Sequence, residues 1–209
     1  MNIRDFRQNY SKYKLDIETV NKNPIIQFEN WLNEAILNQV PEPTAMNLAT
    51  SDDEGNISSR IVLLKGFSEK GFTFFTNYES QKGQQIAKNS KAALNFFWPL
   101  LERQVRIEGK ISKITASESD EYFLSRPIES QISAIISPQS TKIKDKNELD
   151  SRRNELIEVK KDLQRPNYWG GYLLEPVRIE FWQGRENRLH DRINFVLSKN
   201  KWEIHRLAP

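Results

Sequence analysis

The spacing of apolar residues predicts one helix near the start of the chain and short strands after it. Residues 1–23 are polar and predict a flexible arm. Pro24 then opens a segment whose apolar residues recur at i, i+3, i+4, i+7 and i+8, as on one helix face: Phe28, Trp31, Leu32, Ala35 and Ile36. Short runs rich in apolar and aromatic residues, separated by turn residues, predict strands over 44–50, 59–66, 72–77, 91–98 and 103–114.

Helices are predicted in the middle of the chain and strands again at its end. A short helix is expected over 79–89. Another begins at Ser117, a good N-cap with Asp120 three residues later, and Pro127 opens the next. The segment 147–163 predicts a charged surface helix. Strands are then predicted over 169–175, 177–182, 187–197 and 202–207.

This order of elements indicates the fold class. Many short strands with hairpin-sized links, and helices grouped between them, are typical of a mainly β protein with helices (α+β), built as an antiparallel β-barrel with helical decoration. We expect a single domain over residues 24–209, preceded by the arm.

Composition and charge exclude several classes of protein. The 209 residues are 37% apolar and 28% charged, which is typical of a soluble globular protein. The chain has no cysteine and only two histidines, so neither a disulfide nor a metal site is expected. No apolar segment reads as a signal peptide or a membrane span, which favours a cytoplasmic protein. The net charge of +3 is small for a nucleic-acid binder, although two or three clustered cations can bind a phosphate.

The stretch FWQGRENRLHDR, residues 181–192, concentrates three arginines and one of the two histidines. If residues 187–197 form a strand, Arg188, His190 and Arg192 share one face. Trp182 on the preceding predicted strand faces the same way. Such a pair of strands offers stacking, charge and a titratable donor to a planar anionic ligand. The simpler alternative, a solvated outer face, stays open at this point.

Four other segments carry residues suited to binding an anion. Arg60 and Lys65 flank a buried apolar run, Lys82 lies near a predicted helix start, and Gln104 lies on a half-buried strand. In the fourth segment, Tyr122 and Arg126 are spaced i, i+4 on one predicted helix, and Ser130 follows in the first turn of the next helix. Each has an ordinary structural explanation when taken alone. Because GxGxxG, GxxxxGK[ST] and GxSxG are all absent, the chemistry is expected to come from a bound cofactor.

Taken together, these segments resemble the pyridoxine/pyridoxamine 5′-phosphate oxidase family. The resemblance runs from about residue 40 to the C-terminus and rests on ordered motifs: RIVLLK (60–65), FFTN (74–77), LERQV (101–105), YFLSRP (122–127), SQI (130–132), QS (139–140), FWQG (181–184), RLHDR (188–192) and RLAP (206–209). It implies an FMN-binding split barrel and a homodimer with FMN at the subunit interface.

The resemblance also implies a set of site residues and a reaction. FMN would be held by Arg60, Ile61, Val62, Leu63, Leu64, Lys65, Phe75, Thr76, Gln81, Lys82, Gln104, Gln139, Ser140, Trp182 and Arg192. The substrate would meet Arg7, Tyr10, Lys65, Tyr122, Arg126, Ser130, Arg188, Leu189 and His190, with Arg188 and His190 as the catalytic residues beside the pyridine ring. A hydride would pass from substrate C4′ to flavin N5. Reoxidation by O₂ would release H₂O₂, giving pyridoxal 5′-phosphate and, from the amine substrate, ammonia.

Departures from the family pattern and three rival functions remain at this point. Gln81 stands where the family often has a basic residue, Gln8 and Asn9 replace more charged arm residues, and Glu42 replaces a common Asp. One rival is a split-barrel flavoprotein with another substrate. The others are a non-catalytic carrier of flavin or vitamin B6 phosphate, and a small-barrel binder of single-stranded nucleic acid.

Overall fold

The computed structural model describes residues 2, 4, 8–159 and 163–209, except for the side chains of 158 and 159. In this part of the chain the helices are α1 (Pro24–Leu37), α2 (Gln81–Lys88), α3 (Ala116–Ser125), α4 (Ile128–Ile136) and α5 (Asn147–Val159). The strands are β1 (Ala45–Ser51), β2 (Ile57–Leu63), β3 (Gly66–Ser68), β4 (Gly71–Asn77), β5 (Lys91–Trp98), β6 (Arg103–Lys113), β7 (Trp169–Gln183), β8 (Asp191–Ser198) and β9 (Lys201–Arg206).

The strands form one curled antiparallel sheet, and the predicted split-barrel α+β fold is confirmed. The strand order is β2-β1-β5-β6-β7-β4-β3, and β8 and β9 extend from β7. The long strand β7 pairs with β6 along its length. Its first half also pairs with β4 and its second half with β8, so the sheet divides at β7.

Strand β7 was predicted as two strands divided at Pro176, and that prediction is wrong. Proline has no N–H for a ladder hydrogen bond, which is why its position indicated a break. In the structure the register of β6 against β7 shifts between Glu108 and Gly109, opposite Pro176. The bulge accommodates the ladder hydrogen bond that Pro176 cannot donate, and the strand continues through it.

Helix α1 closes the core with four of the five residues of its predicted apolar face; the fifth, Ile36, is half exposed, so its inclusion in the face was wrong. Phe28 is fully buried and meets the rings of Phe67, Phe72 and Phe96 with centroids 4.9–5.2 Å apart. Trp31 packs edge-on against Phe181 at 5.2 Å. Aromatic contacts of this geometry add to the hydrophobic stabilisation that burial supplies. Two residues of the N-terminal segment, Leu15 and Val20, are also buried against this core.

Two local predictions were wrong in ways that affect the site. Helix α3 is capped by Thr115 with Glu118 in a reciprocal capping box, instead of by Ser117 with Asp120, because T-A-S-E carries the same signal two residues earlier. Strand β8 begins at Asp191, and residues Glu186–Arg188 form a 3₁₀ turn instead of the start of a strand. The short strand β3 was not predicted.

Candidate functional site

A cavity of about 740 Å³ lies where β2, β4, the start of α2 and the C-terminal ends of α3 and α4 meet. Four cations line it (Arg60, Lys65, Lys82 and Arg126), and none of the described lining residues is a carboxylate. Most of the residues proposed from the sequence for the flavin and the substrate phosphate line this one cavity: Arg60, Ile61, Val62, Leu63, Lys65, Phe75, Thr76, Gln81, Lys82, Tyr122, Arg126, Gln139 and Ser140.

Lys82 forms one cationic end of the cavity, in the first turn of α2. Its Nζ donates to Thr76 Oγ1 and Gln139 Oε1, both at 3.1 Å, and to Ser80 Oγ at 3.3 Å. Burial, and secondarily the charge of Arg60, lowers the pKa of Lys82 to about 8. These partners are all neutral, so an anion bound here would favour the protonated lysine. The free N–H groups of the α2 N-terminus add to this preference for an anion.

Arg60 is fixed beside the same end by neutral acceptors. Its guanidinium donates to Thr50 Oγ1 and Ser58 Oγ, both at 2.6 Å, and to Leu48 O at 3.2 Å. Burial lowers the pKa of Arg60. The side chain remains charged at neutral pH, because a guanidinium is not deprotonated in proteins. Strand β2 therefore presents a rigid cation to the cavity.

Arg126 forms the second cationic end, inside an aromatic wall. The Tyr122 ring stacks on Phe75 at 3.8 Å, and Trp169 lies parallel to Tyr122 within 4°. The Arg126 guanidinium lies 4.6 Å from the Trp169 ring centroid, and its Nη1 is buried without a hydrogen bond in the described structure. Burial lowers the pKa of Arg126 and raises that of Tyr122. A buried N–H donor without an acceptor is the group that an anionic ligand would satisfy.

Tyr10, Trp182 and His190 form a second group, here called the Trp182 group, that does not line the cavity of the same chain. The His190 ring lies 4.5 Å from Trp182, and Tyr10 lies 5.9 Å from Trp182 and 6.1 Å from His190. His190 Nδ1 accepts a hydrogen bond from Arg185 N at 3.0 Å. Burial, then the charge of Arg188, lowers the pKa of His190, which favours a neutral imidazole.

Gln104 and Arg192 lie beside the Trp182 group on neighbouring strands. Gln104 pairs with Trp182 across β6 and β7, and Trp182 pairs with Arg192 across β7 and β8. The predicted shared face of Trp182 and Arg192 is therefore confirmed. Arg192 makes a two-pronged ion pair with the buried Glu180, at 2.9 and 3.0 Å, which raises the pKa of Arg192.

The predicted strand face of Arg188, His190 and Arg192 was wrong. Arg188 has a left-handed backbone with φ of 62°, as does Asn187 with φ of 55°. Strand alternation therefore does not apply before Asp191. His190 still lies next to Trp182, but a left-handed turn places it there and not the strand alternation that the pattern indicated.

The remaining predicted residues lie elsewhere. Leu64 is buried in the core, Leu189 is exposed, and Ser130 lies in the first turn of α4 outside the cavity lining. Arg7 lies outside the described residues. Several cavity residues were not predicted: Ser59, Asn77, Ser133, Ala134, Ser137 and Trp169. Asn77 belongs to the quoted FFTN motif, and Ser133 follows Ser130 by one helical turn, so both carried a usable signal.

The part of the chain that the structure describes contains neither a metal-ligand cluster nor a membrane-spanning helix. No group of three or more His, Asp or Glu side chains there could hold a metal ion. None of the helices that the structure describes is long and apolar enough to cross a membrane.

Two family models match the chain on either side of residue 165. The model described as pyridoxamine 5′-phosphate oxidase matches residues 32–160. The model described as the pyridoxine 5′-phosphate oxidase C-terminal dimerisation region matches residues 169–209. The first match contains nearly all of the cavity lining, and the second contains Trp182, His190 and Arg192.

Curated relatives are similar over nearly the whole chain. A protein of Legionella pneumophila (strain Lens) is 49% identical over 209 residues, covering 99% of this chain and 97% of the relative. One of Burkholderia thailandensis is 52% identical over 211 residues, covering 99% of each. Both are named pyridoxine/pyridoxamine 5′-phosphate oxidase.

Solved structures share the fold. PhzG from Burkholderia lata 383, in complex with tetrahydrophenazine-1-carboxylic acid, superposes with a TM-score of 0.92 at 29% identity, covering 97% of this chain and 100% of that one. A pyridoxamine 5′-phosphate oxidase-related FMN-binding protein from Nostoc punctiforme PCC 73102 has a TM-score of 0.72 at 17% identity, covering 87% and 97%.

Proposed function

The chain belongs to the pyridoxine/pyridoxamine 5′-phosphate oxidase family of oxidoreductases, and from this premise we propose that it oxidises pyridoxamine 5′-phosphate and pyridoxine 5′-phosphate with O₂, using FMN, to pyridoxal 5′-phosphate and H₂O₂. The amine substrate also consumes one water and releases ammonia. One observation carries the proposal. A single cavity has cations at two ends, an aromatic wall at one of them, and no carboxylate among its described lining residues. Two phosphorylated aromatic molecules, a flavin and a pyridine, match that distribution of charge and stacking surface.

The Lys82 end fits the FMN phosphate. Lys82 and Arg60 provide two cations, the α2 N-terminus provides N–H groups, and Thr76, Gln139 and Ser140 provide further polar atoms in the lining. Because the present partners of Lys82 are neutral, the cation can exchange them for a phosphate oxygen. When bound, FMN accepts the hydride from the substrate and transfers the electrons to O₂.

The Arg126 end fits the substrate phosphate. Its unsatisfied Nη1 and Lys65, which lines the same cavity, supply charge, and Tyr122 supplies a hydroxyl. Trp169 restrains the Arg126 guanidinium by stacking, which reduces the entropy lost when it binds an anion. These residues bind and orient the substrate, and proximity of C4′ to the flavin is what the reaction requires of the protein.

The Trp182 group would complete the site from a second copy of the chain. Trp182, His190 and Arg192 lie in the segment that matches a dimerisation region, and none of them lines the cavity of its own chain. In the proposed homodimer, Gln104, Trp182 and Arg192 contact the flavin. Arg188 and His190 flank the pyridine ring. There His190, neutral because of its lowered pKa and accepting from Arg185 N at Nδ1, can donate a hydrogen bond from Nε2.

The visible spectrum of the purified protein tests this function. A bound flavin should be bleached when pyridoxamine 5′-phosphate is added without oxygen, and H₂O₂ should form in air. Unphosphorylated pyridoxamine is the matched control and should react far more slowly, because it leaves the Arg126 end unsatisfied. Flavin that stays oxidised with both phosphorylated substrates would refute the proposed oxidase and leave a carrier.

A second candidate reaction follows from the similarity to PhzG. That protein was solved with tetrahydrophenazine-1-carboxylic acid, a partly reduced tricyclic acid. Oxidation of such a compound would use the same flavin but one carboxylate in place of a phosphate. Two basic side chains of the cavity lining, Arg126 and Lys65, match a doubly charged phosphate better. Faster anaerobic bleaching by the tricyclic acid than by pyridoxamine 5′-phosphate would favour the second candidate.

A further inference from the structure

Main-chain N–H groups of the N-terminal segment are bound by two carboxylates of the sheet. Ser11 N and Lys12 N both donate to Glu102 Oε2, at 2.9 and 3.0 Å. Leu15 N donates to Asp191 Oδ2 at 3.0 Å. Glu102 and Asp191 are here called the arm clasp. Because the clasp binds the backbone, it does not depend on which side chains the arm carries.

Glu102 makes this contact from a buried and uncommon backbone position. It is 6% exposed and has φ of 54°, in the left-handed region that few residues other than glycine adopt. A buried carboxylate is costly unless hydrogen bonds compensate it, and the two arm N–H groups do so. The main-chain oxygen of Glu102 also accepts from Gly184 N at 2.7 Å. One residue thus joins the arm to the loop that precedes His190.

The clasped arm places Tyr10 against that loop. Tyr10 lies edge-on to Trp182 and next to His190. A Cβ at Gly184 would lie only 2.7 Å from Tyr10 Cβ and Cγ, so the absence of a side chain there permits this close approach. The arm is further held by Arg185 Nη1, which donates to Tyr13 O at 2.9 Å.

We propose that Glu102 is a positioning residue of the oxidase, which holds the arm so that Tyr10 stays beside His190 and covers the substrate. The inference rests on the proposed function, in which Tyr10 and His190 contact the substrate. It assigns the arm's position to a carboxylate in the turn that precedes β6, remote in sequence from the arm. Substitution of arm side chains such as Gln8 and Asn9 would leave this device intact.

The kinetic consequence is a change in KM and not in kcat. If the substrate binds tightly only when the arm is held, its apparent affinity falls in proportion to the held fraction. Loss of the clasp at Glu102 should raise KM at least about tenfold, because Glu102 accepts two charge-assisted hydrogen bonds and one alone is worth about that factor. The kcat and the FMN content should stay within about twofold, because no cavity residue is altered.

Three variants separate the clasp from other roles of residue 102. Glu102→Asn is too short to reach the arm, but asparagine tolerates the left-handed backbone, so a loss cannot come from strain. Glu102→Gln keeps an acceptor at the original reach. Glu108→Gln is the matched control, since it removes a carboxylate from β6, the strand that follows Glu102; Glu108 pairs with Arg106 and does not contact the arm.

Limited trypsin digestion measures how firmly the arm is held, and steady-state oxidation of pyridoxine 5′-phosphate measures substrate binding at the site through KM. In Glu102→Asn, cleavage after Lys12 and Lys14 should be faster and KM at least about tenfold higher. Glu102→Gln should fall between this variant and the parent, because its amide oxygen accepts without the charge, and Glu108→Gln should stay near the parent. Cleavage in the exposed 142–146 segment is the internal reference and should not change.

Each other outcome overturns a defined part of the inference. Unchanged arm cleavage in Glu102→Asn means that Glu102 does not hold the arm. Faster cleavage with an unchanged KM means that the arm does not position Tyr10 for the substrate. If the parent itself oxidises no vitamin B6 phosphate, the proposed function fails, and the digestion alone decides whether Glu102 holds the arm.

Gly184→Ala tests the same arrangement without changing a charge. The added methyl group would displace Tyr10, so KM should rise while cleavage after Lys12 increases less than in Glu102→Asn, because the clasp is intact. A normal KM in Gly184→Ala would overturn the role of Tyr10.

Discussion

Raising the pH from 7 to 9 should weaken FMN binding to the apoprotein, because Lys82 must carry its proton to bind the phosphate. The pKa of Lys82 is lowered to about 8 by burial and by the charge of Arg60. A lysine with this pKa is about nine-tenths protonated at pH 7 and about one-tenth protonated at pH 9. If only the protonated form binds the phosphate well, the apparent affinity falls about tenfold over this range.

The sign of the stability effect is opposite for the apoprotein. Between about pH 8 and the ordinary lysine value of 10.5, the unfolded chain holds more protons at Lys82 than the folded chain does. This group therefore makes the apoprotein more stable as the pH rises through that window. The stabilisation that FMN adds should shrink over the same window, because it depends on FMN affinity.

Fluorescence titration of FMN into the apoprotein measures the effect, and Lys82→Arg is the control. Arginine keeps its charge at pH 9, so the variant should show a flatter dependence than the parent. Calorimetry in two buffers adds a second reading: at pH 8 about half a proton should be taken up per FMN bound. Parallel pH profiles for parent and variant, with no proton uptake at pH 8, would refute the assigned role of Lys82.

The other predictions concern the substrate end and the assembly. Lys65→Ala and Arg126→Ala should each raise KM by about 10- to 150-fold, the value of one charge-assisted hydrogen bond, with FMN content retained; a normal KM would mean that the phosphate binds elsewhere. Arg188→Ala should slow anaerobic flavin reduction at saturating substrate by on the order of 100-fold, because the ring is free to shift. Loss of FMN instead would assign Arg188 to the cofactor. FMN binding and dimerisation should be linked, so dilution should release both together. A monomer that retains stoichiometric FMN by analytical ultracentrifugation contradicts this arrangement.

The local periodicity of the sequence determined most of the elements. Strand β5 was predicted with its observed bounds, and the apolar face of α1 is the face that packs on Phe181. These features depend on the geometry of a few neighbouring residues, which the pattern of apolar positions reports directly. The cations that flank an apolar run, Arg60 and Lys65, were also visible, because a charge in such surroundings is unusual, and Lys82 was visible from its place near a predicted helix start.

The tertiary structure alone decided how those residues come together. Arg60, Lys82 and Arg126 lie on separate elements, and only the pairing of β2 with β1, of β4 with β7, and the packing of α3 on β7 brings them to one cavity. Such convergence depends on contacts between distant segments, which no local pattern records.

The local sequence pattern also failed to predict backbone conformations that depend on tertiary contacts. The left-handed turn at Arg188 replaced a predicted strand, and the bulge opposite Pro176 kept β7 continuous. The role of Trp169 was hidden as well, because in sequence it is one more apolar residue of a strand, whereas in the fold it stacks on Arg126. Period and residue type were therefore enough to predict the elements and most of the cations. The shape of the cavity, and the separation of the Trp182 group from it, required the long-range pairing of the sheet.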